Sequence, residues 1–168
     1  MPDRQRDIGI MREYSQVVVF RLAGRRYALP LVAVERIVRA AEVVPLPGAP
    51  LVVLGLIDVG GRVLPVINLR RRFGLHEREI EVSDQFLIAQ TARRPVVLVI
   101  DEVEGVVECD PSAIVPSEPI APGLQLFEGV AILKDGLVLI HDLTRLLSLD
   151  EMHALEEAMR EEADAHHQ

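Results

Sequence analysis

One β-rich segment occurs twice in this chain, and that constrains the fold more than any other feature. Gly55 to Phe73 reads G-L-I-D-V-G-G-R-V-L-P-V-I-N-L-R-R-R-F, and Gly129 to Leu147 reads G-V-A-I-L-K-D-G-L-V-L-I-H-D-L-T-R-L-L. The two align at an offset of 74 with no gap, setting Leu64 on Val138, Val66 on Ile140, Asn68 on Asp142 and Leu69 on Leu143. A shorter echo lies upstream at an offset of 69, with Leu29 on Leu98, Val34-Glu35 on Val103-Glu104 and Ile37-Val38 on Val106-Val107. Two copies describe a duplicated unit and not a solenoid, which stacks more repeats. The expectation is two similar subdomains facing each other across a pseudo-twofold, with grooves between them that can hold partners.

A chain of 168 residues forms one domain or two small ones. Its core must be aliphatic, because aromatics are only 4% of the chain and tryptophan is absent. The net charge of -8 is uneven: residues 150–168 hold seven acids and one arginine. An acidic chain without a basic stripe is poorly suited to nucleic acid or anionic lipid. Cys109 is the single cysteine, so neither an internal disulfide nor a cysteine-based metal site is available. The first residues carry no apolar signal-peptide region, and no apolar run approaches the roughly 18 residues of a membrane span. The expectation is a cytoplasmic protein without membrane insertion.

Residues 1–15 read as a flexible arm. Val17–Leu22 and Arg26–Pro30 are rich enough in β-branched and aromatic residues to form a hairpin around Ala23-Gly24-Arg25. Leu31–Ile37 fits a short helix or a turn into a third strand. Pro45, Pro47 and Pro50 interrupt regular structure. Val52–Val59 and Arg62–Asn68 form a second hairpin at Gly60-Gly61, with Pro65 expected at an edge or bulge. Asn68 caps a short helix through Phe73. Leu75–Ser83 is a charged linker, placing subdomain one at about 16–80 and subdomain two at about 81–148. The second unit repeats the plan: Gln85–Gln90, Val96–Ile100 and Gly105–Cys109 as strands, a loop over 110–124, a hairpin around Lys134-Asp135-Gly136, and a short helix capped by Asp142. Met152, Leu155 and Met159 fall at helical spacing, so Asp150 to about Glu162 is a final acidic helix within 149–168.

Catalytic signals are absent. His141 and Asp142 lack a nucleophile motif, and neighbouring strand residues point to opposite faces, so His141 reads as structural. No phosphate loop or metal-ligand cluster occurs. The expected cofactor set is none, the expected metal set is none, and no enzyme activity is expected. His153, His166 and His167 lie in the acidic tail. Cys109 reads as a small apolar side chain with no base to activate it. Arg70-Arg71-Arg72 reads as a solvated helix face. Gly55 and Gly129 read as relief of crowding where strands bend. Val34, Ile37, Val52, Val53 and Leu56 either form an exposed contact patch or fill a core between subdomains.

Five stretches in this order and spacing resemble the CheW-like domain family. They are V-V-V-F-R-L-A-G-R-R-Y-A-L-P-L at 17–31, V-P-L-P-G-A-P at 44–50, L-G-L-I-D-V-G-G-R-V-L-P-V-I-N-L-R-R-R-F at 54–73, V-V-L-V-I-D-E-V-E-G-V-V-E at 96–108 and G-V-A-I-L-K-D-G-L-V-L-I-H-D-L at 129–143. The resemblance covers about residues 16–148. It implies a mainly β fold of two intertwined five-stranded SH3-like barrels related by a pseudo-twofold, with short helices and a C-terminal helix. It implies a non-catalytic adaptor bridging a methyl-accepting chemoreceptor tip to the regulatory domain of a CheA-type histidine kinase, monomeric alone and in rings within arrays. The partner-binding positions it implies are Val34, Arg36, Gly55, Asp58, Gly60 and Arg62, lining a groove between the barrels.

Two departures bear on those positions. The family's hairpin commonly carries Arg where this chain has Gly60. Its third strand carries Glu in a V-x-E-I pattern where this chain reads V-E-R-I, with Arg36 in the Glu place. The expectation is that the family's Glu–Arg pair is missing, since Glu35 would face the other side of an extended strand, with Arg62 of the next turn as the alternative source of a charge. Either a specialised chemosensory pathway or a protein that binds the kinase while engaging receptors weakly would follow. Val34→Asp and Gly55→Trp are expected to abolish receptor binding in a folded protein. The competing reading is an SH3-like barrel protein that binds RNA or transcription machinery, disfavoured by the acidic charge and the missing aromatic platform.

Overall fold

The computed structural model describes residues 16–116 and 126–165. The arm expected over 1–15, the loop beyond residue 116, and His166 and His167 lie outside the described residues. Strands β1 (Gln16–Leu22) and β2 (Arg25–Pro30) form the first hairpin. A single 3-10 turn at Leu31–Ala33 leads into β3 (Val34–Arg39), so both readings of that segment occur in succession. Strands β4 (Val53–Val59) and β5 (Arg62–Ile67) form the second hairpin. Its turn needs positive φ at two consecutive positions, and Gly60 and Gly61 supply +59° and +88°. Helix α1 (Leu69–Arg72) follows, capped by the Asn68 side chain, which accepts the Arg71 N–H at 3.1 Å.

The second half repeats the order: β6 (Gln85–Gln90), β7 (Pro95–Ile100), β8 (Glu102–Glu108), a short β9 (Ile114–Pro116), β10 (Phe127–Leu133) and β11 (Gly136–His141). Asp142 then caps a 3-10 turn through the Thr144 N–H at 3.0 Å, as its repeat mate Asn68 caps α1. The chain ends in α2 (Leu149–Ala165).

Two sheets result. One has the order β8-β1-β2-β11-β10-β9 and the other β3-β6-β7-β5-β4. The sixth strand of the first sheet, beyond the expected five, is the three-residue β9. The sheets do not divide the chain near residue 80. The hairpin β1–β2 joins strands of the second half, and β3–β5 join β6 and β7. Two parallel pairings make the exchange, Val66 beside Val97 and Ile140 beside Ala28. Advancing residue 66 by 74 gives 140, and advancing 28 by 69 gives 97. Both sequence offsets therefore meet in one pseudo-twofold-related contact.

Burial follows this topology. Val17, Val19, Ala28, Ala131, Val138 and Ile140 form a core from the first sheet alone. Ile57, Leu64, Val66, Phe86, Ile88 and Val97 form its counterpart from the second. A third core lies between them, with Phe20, Tyr27 and Leu29 from one sheet and Ile67, Leu87 and Leu98 from the other. Val52, Val53 and Leu56 belong to this shared core, and Val34 and Ile37 pack against it. Their aliphatic character serves the core and not an exposed patch.

Three local expectations are corrected. Pro65 is not on an edge strand, because β5 lies between β7 and β4. It is tolerated because its partner Leu56 sends both its N–H and its C=O to Val44, so the Leu56–Pro65 pair requires no donor from proline. The arginine run is not a solvated face. Arg70 is only 8% exposed and pairs with Asp101 at 2.8 Å, Arg71 with Glu77, and Arg72 with Glu151. The segment over 110–124 is not wholly loop, since β9 pairs with β10.

The linker is anchored by a carboxylate. Asp84, 2% exposed, accepts two hydrogen bonds of 2.7 Å from Arg78 and one of 2.8 Å from the Glu81 N–H. Arg78 reaches on to Asp101, which also accepts the Ala23 N–H of the first hairpin turn. Burial pushes the Asp84 carboxyl up, but the Arg78 fork and the Glu81 N–H outweigh it and hold it below its ordinary value. Its stabilisation is thus complete above the ordinary carboxylate range and is lost as pH falls below it. Asp84→Asn is expected to cost about 2 kcal/mol at neutral pH, because Arg78 loses its buried partner. Urea denaturation of the two proteins measures this, and a difference under about 0.5 kcal/mol would show that the network does not hold the linker.

Candidate partner-binding site

The positions implied for partner binding lie on β3 and the β4–β5 hairpin. β3 pairs with β6 by Val34 opposite Ala89 and Arg36 opposite Ile88, so Glu35 is an extra residue in a β-bulge. A bulge re-aims side chains that strict alternation would send to the other face. Here Glu35 meets Arg62 of the hairpin, with Oε1 2.9 Å from Nη2. The family's Glu and Arg places still hold Arg36 and Gly60, but Arg62 supplies a substitute charge. A pair connects the two segments, built from the residue before Arg36 and the residue two past Gly60. The period-2 pattern hid it, because the bulge breaks the alternation on which the expectation rested. Both members are substantially exposed, so the pair fixes side-chain geometry more than it stabilises the fold.

The other implied positions have distinct settings. Asp58 is exposed, and its carboxylate accepts the Gly61 N–H at 2.8 Å, closing the hairpin turn. Gly60 is exposed, and a Cβ there would meet nothing within 4 Å, so the turn tip is bare. Arg36 is exposed and makes no ion pair among the described residues. Val34 is half-buried against the shared core. Gly55 is separate from this exposed set. It is buried at a bulge in β4, where a Cβ would stand 2.1 Å from the Val44 carbonyl oxygen. Its repeat mate Gly129 occupies the matching bulge in β10, with the Val115 carbonyl oxygen 2.6 Å from an added Cβ. Both glycines relieve crowding inside the chain, and a folded Gly55→Trp protein is not compatible with that contact.

The acidic helix is docked. Leu155 and Ala158 of α2 are 1% and 4% exposed and join the shared core. Glu151 pairs with Arg72, Glu156 pairs with Arg93 at 2.9 Å, and the Arg94 guanidinium donates to the Met159 Sδ. The helix begins with a capping box, since the Ser148 N–H donates to Glu151 and the Glu151 N–H to the Ser148 hydroxyl. The sequence S-L-D-E carries that signal, and it places the helix start ahead of the Asp150 expected from periodicity.

Chemistry elsewhere is structural. His141 is 1% exposed against the Phe73 and Phe127 rings, and neither ring nitrogen has a hydrogen-bond partner among the described residues. Burial, followed by Asp110, pushes the Cys109 thiol up and away from the reactive thiolate. Among the described residues no helix is long and apolar enough to cross a membrane. Among the same residues no group of three or more His, Cys, Asp or Glu side chains is placed to hold a metal ion.

A duplicated, mainly β architecture with exchanged hairpins and a shared core defines a two-sheet module built from one repeated unit. A family model described as "CheW-like domain" matches residues 16–151, and the chain belongs to that family. It is 25% identical over 158 residues to the chemotaxis protein CheW of Treponema pallidum, covering 90% of this chain and 93% of that protein. It is 28% identical over 141 residues to the chemotaxis protein CheW of Bacillus subtilis, covering 84% and 86%. Among solved structures it is similar to the scaffolding protein TtCheW from Thermoanaerobacter tengcongensis. That match has a TM-score of 0.75 and 28% identity, covering 82% of this chain and 94% of that one.

Proposed function

We propose that this chain is a non-catalytic, cytoplasmic adaptor of a chemosensory array, coupling a chemoreceptor tip to the regulatory domain of a CheA-type histidine kinase. The observation that carries the reading is the Glu35–Arg62 pair, which ties β3 to the β4–β5 hairpin at the rim where partner-binding positions are implied. Family membership over nearly the whole described chain supports the same role. Val34, Arg36, Asp58, Gly60 and Arg62 form the receptor face, whereas Gly55 acts through the fold. An adaptor of this kind transmits receptor state by binding one kinase arrangement better than another, which requires differential contacts and no chemistry.

Calorimetric titration against the cell's own CheA-type regulatory domain and a soluble receptor tip tests the reading. Both are expected to bind. Arg62→Glu, which faces Glu35 with a like charge, is expected to bind the receptor tip at least about tenfold more weakly while retaining the kinase domain. Failure to bind either partner would sink the adaptor reading. Receptor affinity unchanged by Arg62→Glu would remove this rim from the receptor face.

A further inference from the structure

We infer that β3 is a charge-selective edge, and that Arg36 and Arg39 fit this adaptor to a receptor tip that presents carboxylates along that edge. The inference rests on the adaptor reading and names the partner chemistry of the same face. β3 is the outermost strand of its sheet, so among the described residues one side of its backbone has no neighbouring strand. Its three charged side chains are not equivalent. Glu35 is neutralised by Arg62 at 2.9 Å, while the exposed Arg36 and Arg39 have neither a hydrogen bond nor an ion pair among the described residues. The nearby turn carries one carboxylate, Asp58, which keeps its charge while accepting the neutral Gly61 N–H and has no ion pair with either arginine among the described residues.

The duplication supplies an internal control. β8 is the repeat mate of β3 and is likewise the outermost of the described strands of its sheet. At the 69-residue offset, Gly105 stands for Arg36 and Glu108 for Arg39. Glu104, the mate of Glu35, is neutralised by Arg21 and Arg26. Both edges thus keep a paired glutamate beside the shared core, yet one adds two uncompensated cations and the other exposes Glu102 and Glu108. The shared fold demands the same strand at both places but not opposite charge. The cations of β3 therefore mark discrimination between partners, which charge complementarity provides through encounter rate and rejection of like-charged surfaces.

The test titrates the cell's receptor tip against the unaltered protein, an Arg36→Gln/Arg39→Gln variant and a Glu102→Gln/Glu108→Gln variant, each at low and high salt. Kinase-domain binding verifies that every variant is folded. The arginine variant is expected to bind the tip about tenfold or more weakly at low salt and to lose most of the salt dependence, with the β8 variant matching the parent. Unchanged affinity and salt dependence in the arginine variant would overturn the inference and leave the adaptor reading intact. An unaltered protein that binds the kinase domain but no receptor tip would overturn both.

Discussion

Gly55→Ala is expected to destabilise this protein by roughly 3 kcal/mol or more, the largest loss from any single methyl added to the chain. The new Cβ would lie 2.1 Å from the Val44 carbonyl oxygen, 2.8 Å from its carbon and 2.9 Å from the Val43 side chain, at a φ of +153°. The Val44 carbonyl cannot rotate away. The Val44 C=O accepts the Leu56 N–H at 2.8 Å, and the Val44 N–H donates back to Leu56 at 2.9 Å. Relief thus requires lifting the 43–44 segment from β4 and breaking both bonds. Gly129→Ala is expected to cost less, since its nearest approach is 2.6 Å to the Val115 carbonyl oxygen. Gly60→Ala should cost only about 1 kcal/mol, because its Cβ enters open space and only the left-handed φ is penalised. Urea denaturation of the three variants measures the order directly. A Gly55→Ala protein within about 1 kcal/mol of the parent would mean that the Val44 segment is not seated on β4.

The glycine pair shows what duplication makes legible. Gly55 and Gly129 align in the sequence, and each proves to sit at a bulge under a carbonyl of an adjacent segment. The capping roles of Asn68 and Asp142 were readable in the same way, because a polar residue before a short helix has one local use. The exchange of hairpins between sheets was legible only through the resemblance, which implied intertwined barrels, and not from any local pattern. It depends on parallel contacts such as Tyr27 beside Leu139, whose separation along the chain leaves no local pattern. Arg70 also escaped, because a basic run resembles a solvated face until Asp101 arrives from the far end of β7 to bury and pair it.

The contact between the two segments of the candidate site was not legible in the sequence. The segments V-E-R-I and D-V-G-G-R were identified, but alternation placed Glu35 on the wrong face. One inserted residue in the β3–β6 register reverses that conclusion and brings Glu35 to Arg62. An ion pair can therefore be moved along both of its strands and still close, provided that a bulge compensates the shift. What the shift leaves behind is Arg36, an exposed cation where an unshifted pairing would place the acid.

His141→Ile is expected to stabilise the protein, and increasingly so as pH falls. Its repeat mate is Ile67, and both positions are buried beside the shared core. The imidazole gains nothing from its polarity, since both nitrogens are buried without a partner among the described residues. Replacing unpaired polar atoms with an aliphatic side chain is worth roughly 1–2 kcal/mol at pH 7.5. The acid limb adds more. Burial pushes the imidazole from an ordinary 6.5 down to about 4, with Asp142 favouring protonation and Arg72 opposing it. The fold thus favours the neutral ring: its stabilisation is complete above pH 6.5 and drains away as pH falls towards 4. At pH 5 the parent should have lost on the order of 2 kcal/mol by this route, a loss that His141→Ile cannot suffer. The Asp84 carboxylate, held below its ordinary value, acts only at lower pH and leaves this window to the histidine. Urea denaturation of parent and variant from pH 7.5 to 5 separates the contributions. Curves that stay parallel across that range would show that the ring is hydrated or paired in solution, and that the isoleucine of the first repeat is no better a fit for the second.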